Sequence, residues 1–391
     1  MKRILIFSLA YYPSFVSGAE GAIKEITDRI APEDIEFHML TLLFDKTAKR
    51  EEVMGNIHIH RVGFGGKYLS KMLFIPLAAL RARSLDTKLH FDAMWAMMTY
   101  MLFPTVLSRA LWLRAPHILT LQDGDPYEKV FERWFIRPFV PLLNHGFRSA
   151  KAVQVISAYL GTWPARRGYL GKIELVHNGA NPRDLKESSH PKEVEALKEK
   201  LGKKPGEVWL ANTARIVHQK GSDDTVRALA KLPEKIKLLL VGAGSDETMV
   251  KELVKKLGLE DRVIFTGAVD RSVVTNYRKA ADIFVGPSRS EGLGNAFLSA
   301  MASHLPVVTT QEGGLAEFVY GENDTAHAQT AWVVKKDSPD DIVAAVKDIL
   351  VSPDKVKTVT DTARKMVVEN YDWDIIAKQM RERVFQSVFE A

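Results

Sequence analysis

Three short stretches in the second half of the chain carry residues that could together hold a polyanion and a polyhydroxylated group. In ANTARIVHQKG, residues 211–221, Arg215 and Lys220 stand near a glycine just after a β-like run. Two cations in such a loop suit a diphosphate, because charge-assisted hydrogen bonds to phosphate oxygens are the strong ones. The alternative is a pair of solvated loop charges. In VGAGSD, residues 241–246, Gly242 and Gly244 follow a second β-like run. That pair lacks the third glycine of a dinucleotide fingerprint and the acid about 20 residues further on, so a tight strand-to-helix turn is expected there.

The third stretch is SEGLGNAFLSAM, residues 290–301. Glycines at 292 and 294 let a backbone come close to a ligand, and the first N–H groups of the following helix point at an anion. Glu291 sits beside that anion position. A carboxylate is a poor phosphate ligand, so Glu291 is expected to accept hydrogen bonds from sugar hydroxyls, with a partner for the helix dipole as the alternative.

The elements that must position these residues are legible as alternation. Short β-branched runs (Ile4–Ser8, Glu36–Thr41, Ile57–Val62, Ala93–Met97, Ile118–Leu121, Ala152–Ile156, Glu174–Val176) fill the first half. Val208–Thr213, Lys237–Val241, Val263–Thr266, Ile283–Gly286, Val307–Thr309 and Ala331–Val334 fill the second. Amphipathic helical segments such as Ala19–Ile30, Thr225–Leu232, Asp246–Leu257 and Pro339–Val351 fall between them. Strands separated by helices imply parallel sheets covered on both faces. The turn-rich HNGANP, residues 177–182, followed by a polar Lys-rich segment, marks a boundary between two halves.

The totals agree with this reading. A chain of 391 residues is the length of two ordinary domains, and 46% apolar with 26% charged residues is the composition of a soluble globular protein. The net charge of +6 suits phosphorylated small molecules, an anionic membrane surface or nucleic acid. With no cysteine, disulfides, thiolate metal sites and a cysteine nucleophile are excluded, and a reducing compartment is the default. No apolar run reaches the length of a transmembrane helix, and the apolar start is broken at Pro13, so it reads as a first strand.

With these motifs in order, the chain resembles the retaining glycosyltransferases of family 4. ARIVHQKG is similar to the family's arginine–lysine loop, LLLVGAGS to its glycine turn and VIFTGAVD to its nucleobase-side strand. ADIFVGPSRSEGLGNAFLSAMASHLPVVTT resembles its most recognisable block, and QEGGLAEFV the continuation. In the first half SGAEGAIKEI resembles the Gly-rich loop and first helix, and VHNGAN the interdomain turn. The resemblance implies an α/β GT-B fold, two Rossmann-like doubly wound parallel-sheet domains facing a central cleft. The expected divisions are an acceptor-side domain at 1–178, a donor domain at 179–370 and a C-terminal helix at 371–391 that packs back across the junction.

The resemblance also implies transfer of a sugar from a UDP- or GDP-linked donor to a sugar, lipid-linked or small-molecule acceptor, with no cofactor, no metal and no nucleic acid. Arg215 and Lys220 are then expected on the leaving diphosphate and Glu291 on the donor-sugar hydroxyls. Gly18, Leu293, Gly294, Asn295, Ser299, Gly242 and Ala268 are expected around the donor, and Gln122, Asp123 and Asp125 on the acceptor side. A cytoplasmic protein is the expected setting. The apolar, arginine-dotted segment 126–150, broken by Pro138 and Pro141, reads as a core or interdomain helix, with peripheral contact at the inner face of an anionic membrane as the alternative.

Three departures from the family pattern stand out. Ser299 stands where a second glutamate, eight residues after the first, usually contacts the ribose; His304 stands where glycine is common; Gln122 and Asp123 stand where many members carry a histidine. Other readings remain: Asp123-Gly124-Asp125 as a divalent-cation motif, a nucleotide-sugar 2-epimerase of the same fold, or a non-catalytic nucleotide-sugar binder. His38, His58 and His60 are expected to be packing or surface positions.

Overall fold

β-Branched runs buried on both faces form two parallel sheets. A computed structural model describes residues 1–13, 17–186 and 191–390. Residues 187–190 of the polar segment after the boundary lie outside the described residues. The chain divides into one unit of Met1–Asn178 with Trp373–Ala391 and a second of Gly179–Asp372.

The first unit carries β1 (Lys2–Phe7), β2 (Ile35–Leu42), β3 (Glu51–Met54), β4 (Ile57–Val62), β5 (Ala93–Met97), β6 (His117–Leu121), β7 (Ala152–Val155) and β8 (Ile173–Leu175). They lie in the order β3-β4-β2-β1-β5-β6-β7-β8, parallel except for the antiparallel β3–β4 hairpin. The second unit carries β9 (Val208–Thr213), β10 (Ile236–Val241), β11 (Val263–Gly267), β12 (Ile283–Gly286), β13 (Val307–Thr309) and β14 (Trp332–Val333). Their order is β11-β10-β9-β12-β13-β14, all parallel.

Every candidate strand has a counterpart. The short edge strand β3, sequence EEVM, was not foreseen, because its charged residues read as loop. The end of the chain joins the first unit's core: Trp373, Ile376, Met380, Val384 and Phe385 pack with Phe37 and Trp95.

Among the helices, α1 spans Gly18–Thr27, α2 Tyr68–Leu89 and α3 Leu102–Leu111. The long α2 was also not foreseen. Its buried face, Ser70, Phe74, Ala78, Ala82 and Leu85, follows helical spacing, but Leu69, Met72 and Leu80 on the other side are exposed and blur the pattern. No helix among the described residues is long and apolar enough to cross a membrane.

The histidines on β2 and β4 form a stack: His38 lies over His58 at 4.7 Å and beside His60 at 5.5 Å between centroids. Burial pushes His38 down to about 4; the Glu36 hydrogen bond opposes this and the charge of His58 adds to it. Burial likewise pushes His117 on β6 down to about 4. Such groups take their proton more readily in the unfolded chain, so the stability they confer is full above the unfolded value near 6.5 and declines as pH falls toward 4. Denaturant midpoints are expected to fall across that window, and His38→Asn is expected to flatten the decline. An unchanged slope in the variant would remove His38 as a cause.

Candidate functional site

In the second sheet the strand order reverses beside β9, which has β10 on one side and β12 on the other. Ligands of open α/β sheets bind at such a switch point, beyond the carboxyl ends of the strands. The foreseen residues lie there. Arg215 and Lys220 follow β9, Gly242 follows β10 and Ala268 follows β11. Glu291, Leu293, Gly294 and Asn295 follow β12 and lead into the helix Asn295–Ala302.

Lys220 and Glu291 meet across the crevice. The Lys220 ammonium donates to Glu291 Oε1 at 2.5 Å, and the Ser288 hydroxyl donates to the same oxygen at 2.9 Å. Glu291 is buried and Lys220 largely so. Gly294, at φ 104°, enters the helix in a left-handed conformation that glycine adopts without strain. The first N–H groups of that helix have no acceptor within it and define a positive dipole end. Arg215 is exposed on the loop that leaves β9.

Two close backbone approaches hold the loops. A Cβ at Gly242 would lie 2.1 Å from the Ala214 carbonyl oxygen, and one at Gly244 2.1 Å from that of Ile216. The glycine turn therefore packs on the arginine loop, with the Ile216 N–H donating to the Ala243 carbonyl at 3.1 Å. This is the tight turn expected of residues 241–246. On the other side a Cβ at Gly313 would lie 2.2 Å from the Glu291 carbonyl oxygen, which accepts the Gly314 N–H at 3.1 Å. The QEGG segment thus supports the glutamate's own backbone.

Family models match nearly the whole chain in two parts: "Glycosyltransferase Family 4" over residues 16–184 and "Glycosyl transferases group 1" over residues 193–380. The chain belongs to glycosyltransferase family 4. It is 31% identical over 210 residues to an uncharacterized glycosyltransferase of Methanocaldococcus jannaschii, covering 53% of this chain and 52% of that one. It is 31% identical over 193 residues to a GDP-mannose-dependent alpha-(1-6)-phosphatidylinositol monomannoside mannosyltransferase of Mycobacterium tuberculosis, covering 47% and 48%. The chain thus spans about half the length of the curated relatives it matches. Its GT-B fold is shared with sucrose-phosphate synthase from Thermosynechococcus elongatus, with a TM-score of 0.86, 20% identity and 100% of both chains covered. Anabaena HepE in complex with UDP-glucose has a TM-score of 0.79 at 20% identity, covering 99% and 100%.

The candidate site has a brace that the sequence reading missed. Arg289 donates to Asp223 at 2.9 Å, to Asp224 and Asp337, and to the His218 carbonyl at 2.8 Å. Partial burial works against the guanidinium charge, but its bonds to Asp223 and Asp337 outweigh this and raise its pKa. Arg289 so ties the β12 loop to the Lys220 turn and to the first turn of the next helix, Ser222–Leu229. The readable signal was the acid pair Asp223-Asp224 directly after the Lys-Gly turn.

Ser299 is buried in the site helix, and its hydroxyl accepts the Asn181 N–H at 3.0 Å. The position where the family's second glutamate usually stands is therefore engaged with the turn that begins the second unit. His304 has φ 57° after the same helix, the left-handed form in which glycine is favoured. The Leu305 N–H donates to the Ala300 carbonyl and the His304 N–H to that of Met301, closing the helix end.

In the first unit Gly18 opens α1, whose N-terminus already holds a carboxylate: Glu20 accepts the Ser17 N–H at 2.7 Å. Gln122 and Asp123 follow β6. The Gln122 side chain accepts from Asn178 at 2.8 Å. Asp123 is buried, accepts the Thr99 hydroxyl at 3.0 Å, and is pushed up to about 6 by burial. Asp125 instead meets Lys129 at 2.9 Å and Arg133 at 3.6 Å, so the two carboxylates of Asp-Gly-Asp serve different partners. Among the described residues no group of three or more His, Asp or Glu side chains is gathered as metal ligands would be.

Two substitutions test the ends of the site helix. Ser299→Ala leaves a buried N–H without its acceptor and is expected to lower the unfolding free energy by about 1–3 kcal/mol. His304→Gly is expected to raise it by about 1 kcal/mol, since relief of the left-handed conformation outweighs the exposed contact with Asp361. Urea denaturation of both variants checks these signs.

Proposed function

We propose that the chain is a retaining, metal-independent hexosyltransferase that moves a sugar from a UDP- or GDP-linked donor to an acceptor hydroxyl. The product class is a glycan, a glycolipid or a cell-envelope polysaccharide. The observation that carries this reading is the Lys220–Glu291 pair at the β9–β12 switch point, beside the open N-terminus of the Asn295 helix. A fixed cation, a dipole end and a hydroxyl acceptor at one crevice match a sugar diphosphate.

In the proposed reaction the bond from the anomeric carbon to the β-phosphate oxygen breaks, and its electron pair leaves with the diphosphate. Arg215, Lys220 and the amides of Leu293, Gly294 and Asn295 stabilise the charge that builds there. Gly18 contributes to phosphate binding, Gly242 and Ala268 border the nucleotide, and Glu291 Oε2 orients the sugar hydroxyls. The acceptor oxygen bonds to the anomeric carbon on the face the diphosphate leaves, which gives retention, and its proton passes to the departing phosphate oxygen. The two cations and the helix end supply the positive charge that a divalent ion supplies in other phosphoryl-leaving-group sites.

Gln122, Asp123 and Asp125 are assigned to the acceptor. A lipid-linked acceptor, reached in peripheral contact with an anionic membrane, is favoured by the net charge of +6 and by the printed name of the mycobacterial relative.

The direct test is thermal shift with UDP, GDP, ADP and their sugars, since a bound ligand stabilises by mass action. A shift with UDP or GDP sugars is expected; no shift with any nucleotide at saturating concentration would overturn the reading. Turnover is expected to survive EDTA. Arg215→Ala, at an exposed position, should slow transfer by ~3 kcal/mol, on the order of a hundredfold, without loss of stability. Glu291→Gln should impair transfer comparably. Lys220→Ala also strands a buried carboxylate and is expected to cost ~3–5 kcal/mol of stability, so its kinetics need the folded fraction measured beside them.

A further inference from the structure

The two apolar faces of α2 pose a question that the proposed reaction does not answer. One face, through Phe74, Ala78, Ala82 and Leu85, is buried, and the helix packs on β2, β4 and α3. The other is exposed: Leu69 is 61%, Met72 54% and Leu80 57% accessible, and Tyr68 at the helix start is 68% accessible. Residues 69, 72, 73, 76 and 80 lie along one side of the helix by their spacing, and Leu73 and Pro76 are exposed with the others. Phe64, just before the helix, is exposed too.

The charges on the stripe itself are cationic, and those around it are mostly so. Lys67 and Lys71 are exposed among the apolar side chains. The neighbouring 44–50 loop adds more: the Lys46 stem lies by Gly65, Arg50 donates to the Gly63 carbonyl at 3.5 Å, and Lys71 lies 5.8 Å from the Phe44 ring. The first acid within α2 is Asp86, which accepts the Phe91 N–H at the far end. Asp45 is the acid of the loop, and it accepts from Thr47. Arg81 pairs with Glu51.

Apolar side chains flanked by long cations whose heads reach outward are the pattern of a helix lying in a lipid interface. A second copy packed on the same face would have no acid between Lys67 and Leu85 to set against Lys67 and Lys71. We propose that the outward face of α2, from Phe64 to Leu80, docks the protein on an anionic bilayer, with Leu69, Met72 and Leu73 entering the acyl boundary and Lys67 and Lys71 at the headgroups. This surface differs from the 126–150 segment that the sequence suggested. It rests on the preceding reading only in supposing that the acceptor is lipid-linked; bilayer binding without a donor and nucleotide binding without lipid are read separately.

The test is flotation of the full chain with phosphatidylcholine vesicles and with phosphatidylglycerol-rich vesicles. Salt-sensitive binding to the anionic vesicles is expected. Lys67→Glu and Lys71→Glu should each lower partitioning roughly fivefold or more. The pair Leu69→Glu with Met72→Glu should abolish binding while the nucleotide thermal shift stays unchanged, which shows that the fold is intact. Three results would overturn the proposal: no flotation of the parent protein at low salt, undiminished flotation of the Leu69/Met72 pair, or loss of flotation in Trp134→Glu alone. A dimer in solution that the Leu69/Met72 pair dissolves would assign the face to a second copy instead.

Discussion

The ion pair between Lys220 and Glu291 joins two loops that leave adjacent strands on either side of the reversal in the second sheet. Neither charge is stable there alone, since a buried carboxylate or ammonium without its partner is strongly unfavourable. Together they fix the spacing of the β9 and β12 loops at the crevice. The neighbouring features depend on this spacing. Gly221, whose added Cβ would lie 2.3 Å from the Pro287 carbonyl oxygen, lets the Lys220 turn lie against the β12 loop. Gly313 and Gly314 let the next loop press on Glu291 and Gly292 from behind. Arg289 repeats the same tie outside the crevice with three carboxylates, so the two loops are joined by an inner and an outer bridge.

The sequence made the sheets and the donor-side loops legible because both leave local signatures. Parallel strands buried on both faces read as apolar runs, and the loop chemistry lies within a few residues of the strand ends. What it did not disclose depends on contacts between distant segments. Arg289 reads as one more loop cation until Asp223, Asp224 and Asp337 are brought to it. Ser299 reads as an omission at a ligand position, whereas its hydroxyl serves Asn181, far away in sequence. The helix α2 escaped because two apolar faces cancel the periodicity by which helices are found. β3 escaped because a charged edge strand looks like a loop until β4 pairs with it.

Ser299 gives the site helix a second task. Its N-terminus faces the crevice, while its later turns are tied to the segment where the chain enters the second unit. Ser299 holds Asn181; Ser303 donates to the buried Asp184 at 2.7 Å, which also pairs with Arg278. Arg364 donates to the Ala302 and Leu185 carbonyls. The Ala180 N–H in turn donates to the Tyr371 carbonyl, so the two places where the chain passes between units are bonded to each other. A glutamate at 299 would lack the short hydroxyl that meets the Asn181 N–H. The departure from the family pattern is thus compatible with an intact site helix, whose Ser299 has a structural partner of its own.

The two units differ in the electrostatics of their strand ends, and under the proposed function this difference would separate donor from acceptor. In the second unit the loops beyond β9 and β12 present cations and helix N–H groups, which favour a polyanion. In the first, the end of β6 presents Gln122 and a buried Asp123, while Met98 at the end of β5 is held at φ 72°, an uncommon conformation for a non-glycine residue. A carboxylate pushed up to about 6 by burial is mostly ionised at neutral pH and already accepts the Thr99 hydroxyl. An anionic group beside it would be repelled at low dielectric, whereas a neutral hydroxyl can donate to it. With Asp123 on the acceptor side, as proposed, the reacting portion of the acceptor would be an uncharged polyol, with any phosphate it carries kept away from this carboxylate.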